Sequence, residues 1–244
     1  MPPTLEVRAD PALRLFLAPR RRRERFEVRY DPDATLGHVV QSVGIPLTEV
    51  GPLRLDGVAA TADRRPRPGA VVEIGPVARP QDMAGARGFL LDVGLGTLAR
   101  RLRILGVDAA YRNDADDDEL VRRADAEHRV LLTQDRGLLK RRVLRAGAHV
   151  RGSRPDDQLA DVLDRFAPPL APWTRCTVCN GVLAPAALEE VADALEPGTR
   201  RRYREFARCR SCGRVYWHGA HGRRLDPVVA AALARRNGTR PDGS

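Results

Sequence analysis

No long apolar run occurs in this sequence, and that absence excludes a conventional membrane-spanning helix. None of the apolar stretches in the 244 residues reaches the roughly 18 residues that crossing a bilayer requires. The N-terminal segment MPPTLEVRAD also lacks a basic stretch followed by an apolar one, so we expect no signal peptide. These two absences favour a cytoplasmic protein that does not associate with a membrane.

Lysine is almost absent, although the chain is strongly basic. Lys140 is the single lysine among 42 basic residues, and the formal net charge is +10. Such a charge favours an anionic partner, of which nucleic acid is the commonest. Two alternatives stay open, because the arginine bias can reflect genomic base composition and the charge is spread over the chain as on an ordinary solvated surface.

Cysteine occurs only four times, always within one of two short knuckles, CTVC and CRSC. The four residues are Cys176, Cys179, Cys209 and Cys212. Two CxxC pairs present four thiolates to one tetrahedral ion, so the spacing predicts a closed, structural Zn²⁺ site. The alternatives are a pair of disulfides or four unrelated cysteines, and both are disfavoured in a cytosolic chain that has no other cysteine. Tyr216 and Trp217, near the second knuckle, either contact nucleic acid or pack over the metal site.

The first 77 residues contain strand-like runs around one amphipathic segment. The expected strands are LRLFL (13–17), FEVRY (26–30), LRL (53–55) and VVEI (71–74), and TLGHVVQSVG (35–44) predicts a helix capped by Thr35. The order ββαββ is that of a β-grasp fold. The segments DATLGHVVQSVGIPLTEVG and PGAVVEIGPV resemble the ubiquitin-like sulfur-carrier group. The chain continues beyond this unit without a free Gly-Gly end, so we expect a docking role towards a protein partner rather than a carrier role.

Strand-like and helix-like segments alternate through residues 89–167, after a linker at 78–88. The expected strands are FLLD (89–92), VDAAY (107–111), RVLLT (129–133) and AHV (148–150). The expected helices are LGTLARRLRIL (95–105), DDDELVRRADAEH (116–128), a basic helix after Asp135, and DDQLADVLDRF (156–166). This alternation predicts a three-layer α/β domain with a parallel sheet. A zinc ribbon at 173–218, with an inserted helical hairpin, and a frayed tail at 219–244 complete the predicted organisation.

Acidic residues follow the strands or open a helix of the predicted sheet. Asp92 follows FLL, Asp135 follows VLLT, and three aspartates at 116–118 open the intervening helix. Ligands of such sheets bind beyond the carboxyl ends of the strands, where converging carboxylates repel one another unless a cation is present. Hard oxygen ligands suit Mg²⁺ or Mn²⁺, which can polarise a phosphodiester and generate hydroxide from water.

Each acid also has a structural role that competes with metal binding. Asp116 and Glu119 match a capping box, so one of the three aspartates is expected to be a helix cap. Asp135 can cap the segment that follows it. Asp92 has the weakest structural role, because an acid that ends an apolar strand is costly without a partner. The pair at 156–157 either begins a helix or supplies a fourth acid.

The segment from FLLDVG to RGLLKRR resembles the Mut7-C domain, a branch of the PIN-like nuclease superfamily. The cysteine module with CGRVYWHGAH resembles the zinc ribbon that ends that family, and the β-grasp unit resembles the ubiquitin-like domain often fused before it. The resemblance implies a metal-dependent ribonuclease that acts on RNA. It places the family acids on Asp92, Asp117 and Asp135, which would hold Mg²⁺ or Mn²⁺.

The chain departs from the family pattern after Asp92. Where relatives tend to have DGxLGKLARW, this sequence has DVGLGTLARR, with Thr97 in place of a lysine and Arg101 in place of a tryptophan. Arg100 can take over phosphate contact from the missing lysine. The other candidates for contact with the RNA backbone are Arg136, Lys140, Arg141 and Arg142, although a solvated helix face accounts for them equally well.

A second function, from another class, competes with the nuclease. In a non-catalytic RNA- or ribosome-binding adaptor the arginines and the ribbon would bind RNA, and the acids would be structural. Divalent-metal binding separates the two, because the adaptor would bind zinc alone.

Overall fold

The N-terminal unit is a five-stranded sheet that packs against one helix. The computed structural model describes residues 2–83, 85–217, 219, 225–236 and 238. The strands of this unit are β1 (Thr4–Ala9), β2 (Phe26–Arg29), β3 (Val50–Leu55), β4 (Val58–Ala60) and β5 (Val71–Pro76). Their spatial order is β2-β1-β5-β3-β4, with β1 and β5 parallel and the other pairs antiparallel. This sheet agrees with the predicted β-grasp fold.

The helix of this unit, α1 (Leu36–Val43), forms where its sequence predicts it. The Thr35 hydroxyl accepts a hydrogen bond from the His38 amide at 3.3 Å, which confirms the predicted cap. Gly44 ends the helix in a left-handed conformation with φ of 119°. The apolar positions of the helix are buried against the sheet: Leu36, Val39, Val40 and Val43.

One predicted strand of this unit is wrong, because LRLFL lies in a 3-10 helix, Pro11–Phe16. The Asp10 carboxylate accepts a hydrogen bond from the Ala12 amide at 2.8 Å, and proline favours the first turn of a helix. Leu13 and Phe16 are both buried and lie three residues apart, one turn of a 3-10 helix. The first strand is instead TLEVRA, whose alternate residues face the core: Leu5, Val7 and Ala9.

The central unit is a parallel four-stranded sheet. Its strands are β6 (Gly88–Leu91), β7 (Ala109–Tyr111), β8 (Arg129–Thr133) and β9 (Gly147–His149), in the spatial order β7-β6-β8-β9. Its helices are α2 (Gly96–Ile104), α3 (Asp117–Ala126) and α4 (Pro155–Phe166). All three strand pairs are parallel, so the carboxyl ends of the strands share one edge, which we call the carboxyl edge. The predicted α/β class is confirmed.

Two apolar clusters cover the opposite faces of this sheet. Phe89 and Leu91 pack with α2 and α4, whereas Leu90 packs with α3 on the other face. The alternation follows from the two-residue period of a strand. The predicted apolar face of α2 is also confirmed, since its members are all buried: Leu95, Leu98, Ala99, Leu102 and Leu105.

The predicted basic helix after Asp135 is wrong. The connection from β8 to β9 contains only a single 3-10 turn, Leu138–Lys140. Leu138, Leu139 and Leu144 all insert into the cluster beside α3. Because these leucines are one and then five residues apart, they do not lie on one face of an α-helix.

The C-terminal unit is a small antiparallel sheet formed by β10 (Leu183–Ala186), β11 (Phe206–Cys209) and β12 (Val215–Trp217). Between β10 and β11 the chain inserts two short helices, α5 (Leu188–Val191) and α6 (Pro197–Arg202). The helical insertion predicted between the cysteine knuckles is therefore confirmed.

A further helix, α7 (Asp226–Arg236), follows the ribbon. Val229 and Ala232 of this helix join the core of the central unit, and Arg235 pairs with Asp164 of α4 at 2.9 Å. The prediction of a frayed tail from residue 219 is wrong for this segment, whereas residues 220–224, 237 and 239–244 lie outside the described residues. None of the helices in the described part of the chain combines the length and the apolar composition needed to span a membrane.

Candidate active site and metal centre

The carboxyl edge of the central sheet collects the predicted acids. Asp92 directly follows β6, and Asp135 lies two residues beyond the end of β8. β6 and β8 are neighbours in the sheet, with Leu91 paired to Leu132. The adjacent strand β7 leads through a short loop to the acidic start of α3. Chain topology therefore brings all three acidic segments to one edge.

Thr133 links two of these segments through its hydroxyl group. Its Oγ1 donates to Asp92 Oδ2 at 2.6 Å and accepts a hydrogen bond from the Asp135 amide at 2.9 Å. The other Asp92 oxygen, Oδ1, accepts from the Val93 amide at 2.6 Å. Thr133 is fully buried, Asp92 is half-buried and Asp135 is exposed. Thr133 was not among the predicted site residues, although a hydroxyl group at the end of an apolar strand was a signal in the sequence.

Asp135 also caps the turn that follows it. Its Oδ1 accepts hydrogen bonds from the amides of Gly137 at 2.6 Å and Leu138 at 3.4 Å. Asp135 therefore does cap this turn, which is the structural role expected as the alternative to metal binding. It uses only one of its carboxylate oxygens to do so. Within the described ranges Oδ2 has no hydrogen-bond partner, so it can bind a ligand without breaking the turn.

The three aspartates at the start of α3 have different environments. Asp116 is the helix cap, because its Oδ1 accepts a hydrogen bond from the Glu119 amide at 2.7 Å. Asp118 forms an ion pair with Arg141. Asp117 is exposed and forms neither a hydrogen bond nor an ion pair through its side chain with any described residue. Of the three, Asp117 is therefore the one whose two carboxylate oxygens are both available to a ligand.

The chemistry and the position of these carboxylates suit Mg²⁺ or Mn²⁺. Their oxygen atoms, however, do not already lie close together around a single point. Among the described residues, the four cysteines form the one group of three or more potential ligands within 4.8 Å of one another. Mg²⁺ usually keeps several waters and binds through one or two carboxylates. A carboxylate offers about four acceptor positions, so Asp92 and Asp135 retain capacity beyond their present hydrogen bonds.

Four basic side chains of the segments that follow Asp92 and Asp135 are unpaired among the described residues. Arg100, Arg136 and Arg142 are exposed and Lys140 is half-buried, and none of the four forms an ion pair within the part of the chain that the structure describes. Arg141 differs from them, because Asp118 already neutralises its charge. Phosphate would have to displace that carboxylate to bind Arg141.

The two candidates for a fourth acid have structural partners. Asp156 accepts a hydrogen bond from Arg101 at 2.6 Å, and Asp157 accepts two from Arg154 at 3.0 Å. Both acids lie in the first turn of α4, where the helix dipole favours negative charge. These contacts account for both acids without a metal.

The four cysteine thiols converge in the C-terminal unit. The Sγ atoms of Cys176 and Cys212 are 3.7 Å apart, those of Cys179 and Cys209 are 3.4 Å apart, and all four thiols are free. Sulfurs on a tetrahedron with 2.3 Å zinc–sulfur bonds lie about 3.8 Å apart. The arrangement therefore fits one structural Zn²⁺ ion with four thiolate ligands and no open position.

Tyr216 packs over this metal centre. Its hydroxyl group lies 3.0 Å from Cys176 Sγ, and the Cys179 amide donates to the same sulfur at 3.4 Å. Burial opposes ionisation, but these hydrogen bonds prevail and lower the pKa of Cys176 to about 6. Trp217, by contrast, is 39% exposed. The two roles expected as alternatives for these aromatic residues therefore divide: Tyr216 covers the metal site, and Trp217 is accessible to a partner.

A buried arginine of α2 fastens the first zinc knuckle to the central unit. Arg103 is only 3% exposed, and its guanidinium group donates to the carbonyl groups of Thr177 at 3.1 Å, Val178 at 2.8 Å and Ala109 at 2.8 Å. Burial lowers the pKa of Arg103, and the nearby cysteine thiols oppose that effect. No sequence signal distinguished this residue from Arg100 on the same helix.

A buried ion pair fixes the N-terminal unit beside the carboxyl edge. Glu49 accepts two hydrogen bonds of 2.9 Å from Arg165 of α4, and both side chains are 1% exposed. Glu49 Oε1 also accepts a hydrogen bond from the His149 amide at 2.7 Å, at the end of the edge strand β9. Burial raises the pKa of Glu49, and the charge of Arg165 opposes that rise.

Comparison with known families agrees with this architecture. The family model described as Mut7-C RNAse domain matches residues 87–229, which is more than half of the 244-residue chain. The model described as Mut7-C ubiquitin matches residues 2–82. No curated protein and no solved structure matches the chain. The chain therefore belongs to the Mut7-C RNAse domain family and carries a Mut7-C ubiquitin domain in front of the RNAse domain.

Proposed function

We propose that this protein is a metal-dependent ribonuclease that hydrolyses RNA phosphodiester bonds at the carboxyl edge of its parallel sheet. The observation that carries the proposal is the hydrogen-bonded link between Asp92 and Asp135 through the buried hydroxyl group of Thr133. Two carboxylates at the tips of adjacent strands, both with unused acceptor positions, are suited to sharing a divalent cation. Family membership supports a nuclease of this kind.

In this proposal Asp92, Asp117 and Asp135 hold Mg²⁺ or Mn²⁺, and the cysteine site holds Zn²⁺ for structural purposes. A divalent cation at the edge would supply Lewis-acid stabilisation of the phosphate charge and a more acidic water molecule. Thr133 fixes the orientation of the Asp92 carboxylate. Phosphates of the RNA backbone bind to basic side chains of the segments that follow Asp92 and Asp135: Arg100, Arg136, Lys140 and, once Asp118 is displaced, Arg141.

The test is cleavage of a panel of RNA and DNA oligonucleotides with Mn²⁺. We expect Asp92→Asn and Asp135→Asn each to reduce RNA cleavage by more than the roughly 10–100-fold that substituting an outer-shell residue costs. The circular dichroism spectra should not change, because the asparagine carbonyl can still accept the local backbone hydrogen bonds. Asp156→Asn, which alters an acid paired with Arg101, is the matched control and should cleave normally. Full activity of Asp135→Asn would exclude the proposed role of this residue.

The adaptor is retained as a second candidate, because Asp92 and Asp135 both accept hydrogen bonds from the backbone of the turns that follow them. An adaptor needs no cation at these acids. Titration with Mn²⁺, followed by electron paramagnetic resonance, separates the two functions. The nuclease predicts a Mn²⁺ site in the zinc-loaded protein that Asp92→Asn weakens, whereas RNA binding without any such site would favour the adaptor.

A further inference from the structure

A run of arginines on the N-terminal unit has no part in the proposed site. The segment PRRRRER, residues 19–25, follows closely after Phe16 and Leu17. Arg20, Arg22 and Arg23 are exposed, and none of the three forms an ion pair with a described residue. Adjacent like charges repel one another, so ion pairing within the β-grasp unit does not account for this run.

Contacts of Phe16 and Leu17 place this run beside the carboxyl edge. The Phe16 ring lies edge-on to His149, with 5.2 Å between ring centroids, and the guanidinium carbon of Arg136 is 5.8 Å from the centre of the Phe16 ring. On the other side, Arg22 Nε donates to the Leu17 carbonyl group at 3.1 Å. Two arginines without ion pairs among the described residues, Arg136 of the central unit and Arg22 of the N-terminal unit, therefore contact the neighbouring residues Phe16 and Leu17.

The two units are held together at this place by polar contacts, one of which is fully buried. The ion pair of Glu49 and Arg165 crosses the boundary, and Arg151 donates to the Ala12 carbonyl group at 3.2 Å. Burial lowers the pKa of His149 to about 4, so its imidazole is neutral near pH 7 and adds no repulsion to the arginines around it. The segment that carries Phe16, which the arginine run follows, is thus held in place beside the carboxyl edge.

We infer that Arg20, Arg22 and Arg23 form a binding site for the backbone of single-stranded RNA, which continues the basic surface at Arg136 across the boundary between the units. The inference rests on the proposed function, because it extends the substrate path away from the cleavage site. The N-terminal unit then contributes directly to RNA binding, in addition to any role in docking a protein.

The chemistry of this surface matches phosphate better than an acidic protein. Guanidinium groups form a planar fork that binds phosphate oxygens in pairs. Arg136 follows Asp135 directly and lies against Phe16, next to the residue that Arg22 contacts, so an RNA strand that crosses the carboxyl edge can pass from Arg136 to this run. An acidic protein in the same place would compete with the substrate.

A second arginine cluster in the same unit provides a control. Arg64, Arg65 and Arg67 are exposed and lie in the loop that leads into β5. Phe16 lies beyond the opposite end of the parallel pair β1 and β5, because its 3-10 helix follows the last residue of β1. The control cluster thus carries the same charge at the far end of the sheet.

The test measures RNA binding by the full-length chain in an Asp92→Asn background, so that cleavage does not interfere. A fluorescent 20-nucleotide oligouridine is titrated by anisotropy at several salt concentrations. For the triple variant Arg20→Ser/Arg22→Ser/Arg23→Ser we expect a roughly tenfold or greater loss of affinity, with the slope of log K against log salt reduced by about 2, because each lost phosphate contact contributes about 0.7 on a single strand. The corresponding triple lysine variant keeps its charges and should keep the slope.

The control variant Arg64→Ser/Arg65→Ser/Arg67→Ser should keep both the affinity and the slope. Equal losses in the two serine triples would overturn the inference, because they would indicate a general effect of net charge. It would also be overturned if the Arg20 triple bound RNA normally, whether or not it lost a protein partner. Failure of the unsubstituted chain to cleave RNA would count against the proposed function alone, since binding is measured independently.

Discussion

At the scale of single residues, Thr133 is the side chain on which the geometry of the candidate site depends most. It is fully buried, and its hydroxyl group donates one hydrogen bond and accepts another across two strand ends. An unsatisfied buried hydroxyl group would cost about 1–3 kcal/mol, so the carboxylate of Asp92 and the turn of Asp135 are coupled energetically.

We predict that Thr133→Val reduces RNA cleavage by about 10–100-fold, the usual cost of removing an outer-shell group that orients a ligand. Valine has nearly the same shape, so the packing should survive, but Asp92 loses the donor that holds it. The measurement is cleavage as a function of Mn²⁺ concentration, where the half-saturating concentration should rise.

Thr133→Ser is the control for this prediction, because serine keeps the hydroxyl group and loses only a methyl group. It should cleave RNA within a few-fold of the unsubstituted protein. Equal activity of the valine variant and the unsubstituted protein would show that orientation of Asp92 by Thr133 does not matter.

At the scale of elements, helix α2 joins the central sheet to the zinc ribbon. Its apolar face was predicted from periodicity alone, but its arginines were not distinguishable in the sequence. Arg100 is exposed, Arg101 pairs with Asp156 of α4, and Arg103 is buried against the zinc knuckle. The neighbouring element decides the role of each, because all three share the same local sequence pattern.

We predict that Arg103→Met weakens zinc retention, because the carbonyl groups of Thr177 and Val178 lose their shared donor and the knuckle loosens. Loss of an outer-shell partner typically reduces metal affinity by about 10–100-fold. The measurement is the rate of zinc release to a colorimetric chelator. Arg101→Met, on the same helix but paired with Asp156, should release zinc at the normal rate; equal rates for the two variants would contradict the prediction.

The incorrect element predictions have a common physical origin. LRLFL and RGLLKRR are both short, and the spacing of their apolar residues is compatible with more than one backbone conformation. In the first segment, the cap formed by Asp10 favours a 3-10 helix over a strand. In the second, Asp135 holds a turn, and the leucines reach the core from a loop.

At the scale of the whole molecule, the N-terminal and central units meet through a polar contact that is buried from solvent. Glu49 and Arg165 are each 1% exposed, and Gln81 accepts a hydrogen bond from Arg165 Nε at 2.8 Å. Charges buried in this way are stabilising only while both partners are present. The boundary therefore behaves as part of the folded core.

We predict that Glu49→Ala lowers the free energy of unfolding by about 3–5 kcal/mol, because Arg165 is left as an uncompensated buried charge. Urea denaturation followed by circular dichroism measures the loss. The control is Glu6→Ala, which breaks the ion pair between Glu6 and Arg8, whose side chains are 29% and 46% exposed. An exposed pair of this kind contributes little to the free energy of unfolding, because solvent screens its charges.

A double variant, Glu49→Leu/Arg165→Met, removes both charges and should recover much of the loss. If Glu49→Ala lowered the free energy of unfolding by no more than Glu6→Ala does, the buried pair would not be holding the two units together.

The sequence by itself determined the features that depend on local spacing. The cysteine knuckles, the cap at Thr35 and the strands and helices of the central sheet all follow from patterns within about 15 residues. Acids at strand ends were also foreseeable, because parallel topology brings such ends to one edge.

Only the tertiary structure decided which side chains meet across long stretches of chain. Thr133 reaches Asp92 over 41 residues, and Arg165 reaches Glu49 over 116. The tertiary structure also distinguishes Asp117 from its neighbours. Asp116 caps the helix and Asp118 pairs with Arg141, whereas Asp117 is unpaired among the described residues. The physical reason is that hydrogen bonds and buried ion pairs depend on distances in space, which a linear pattern of residue types does not contain.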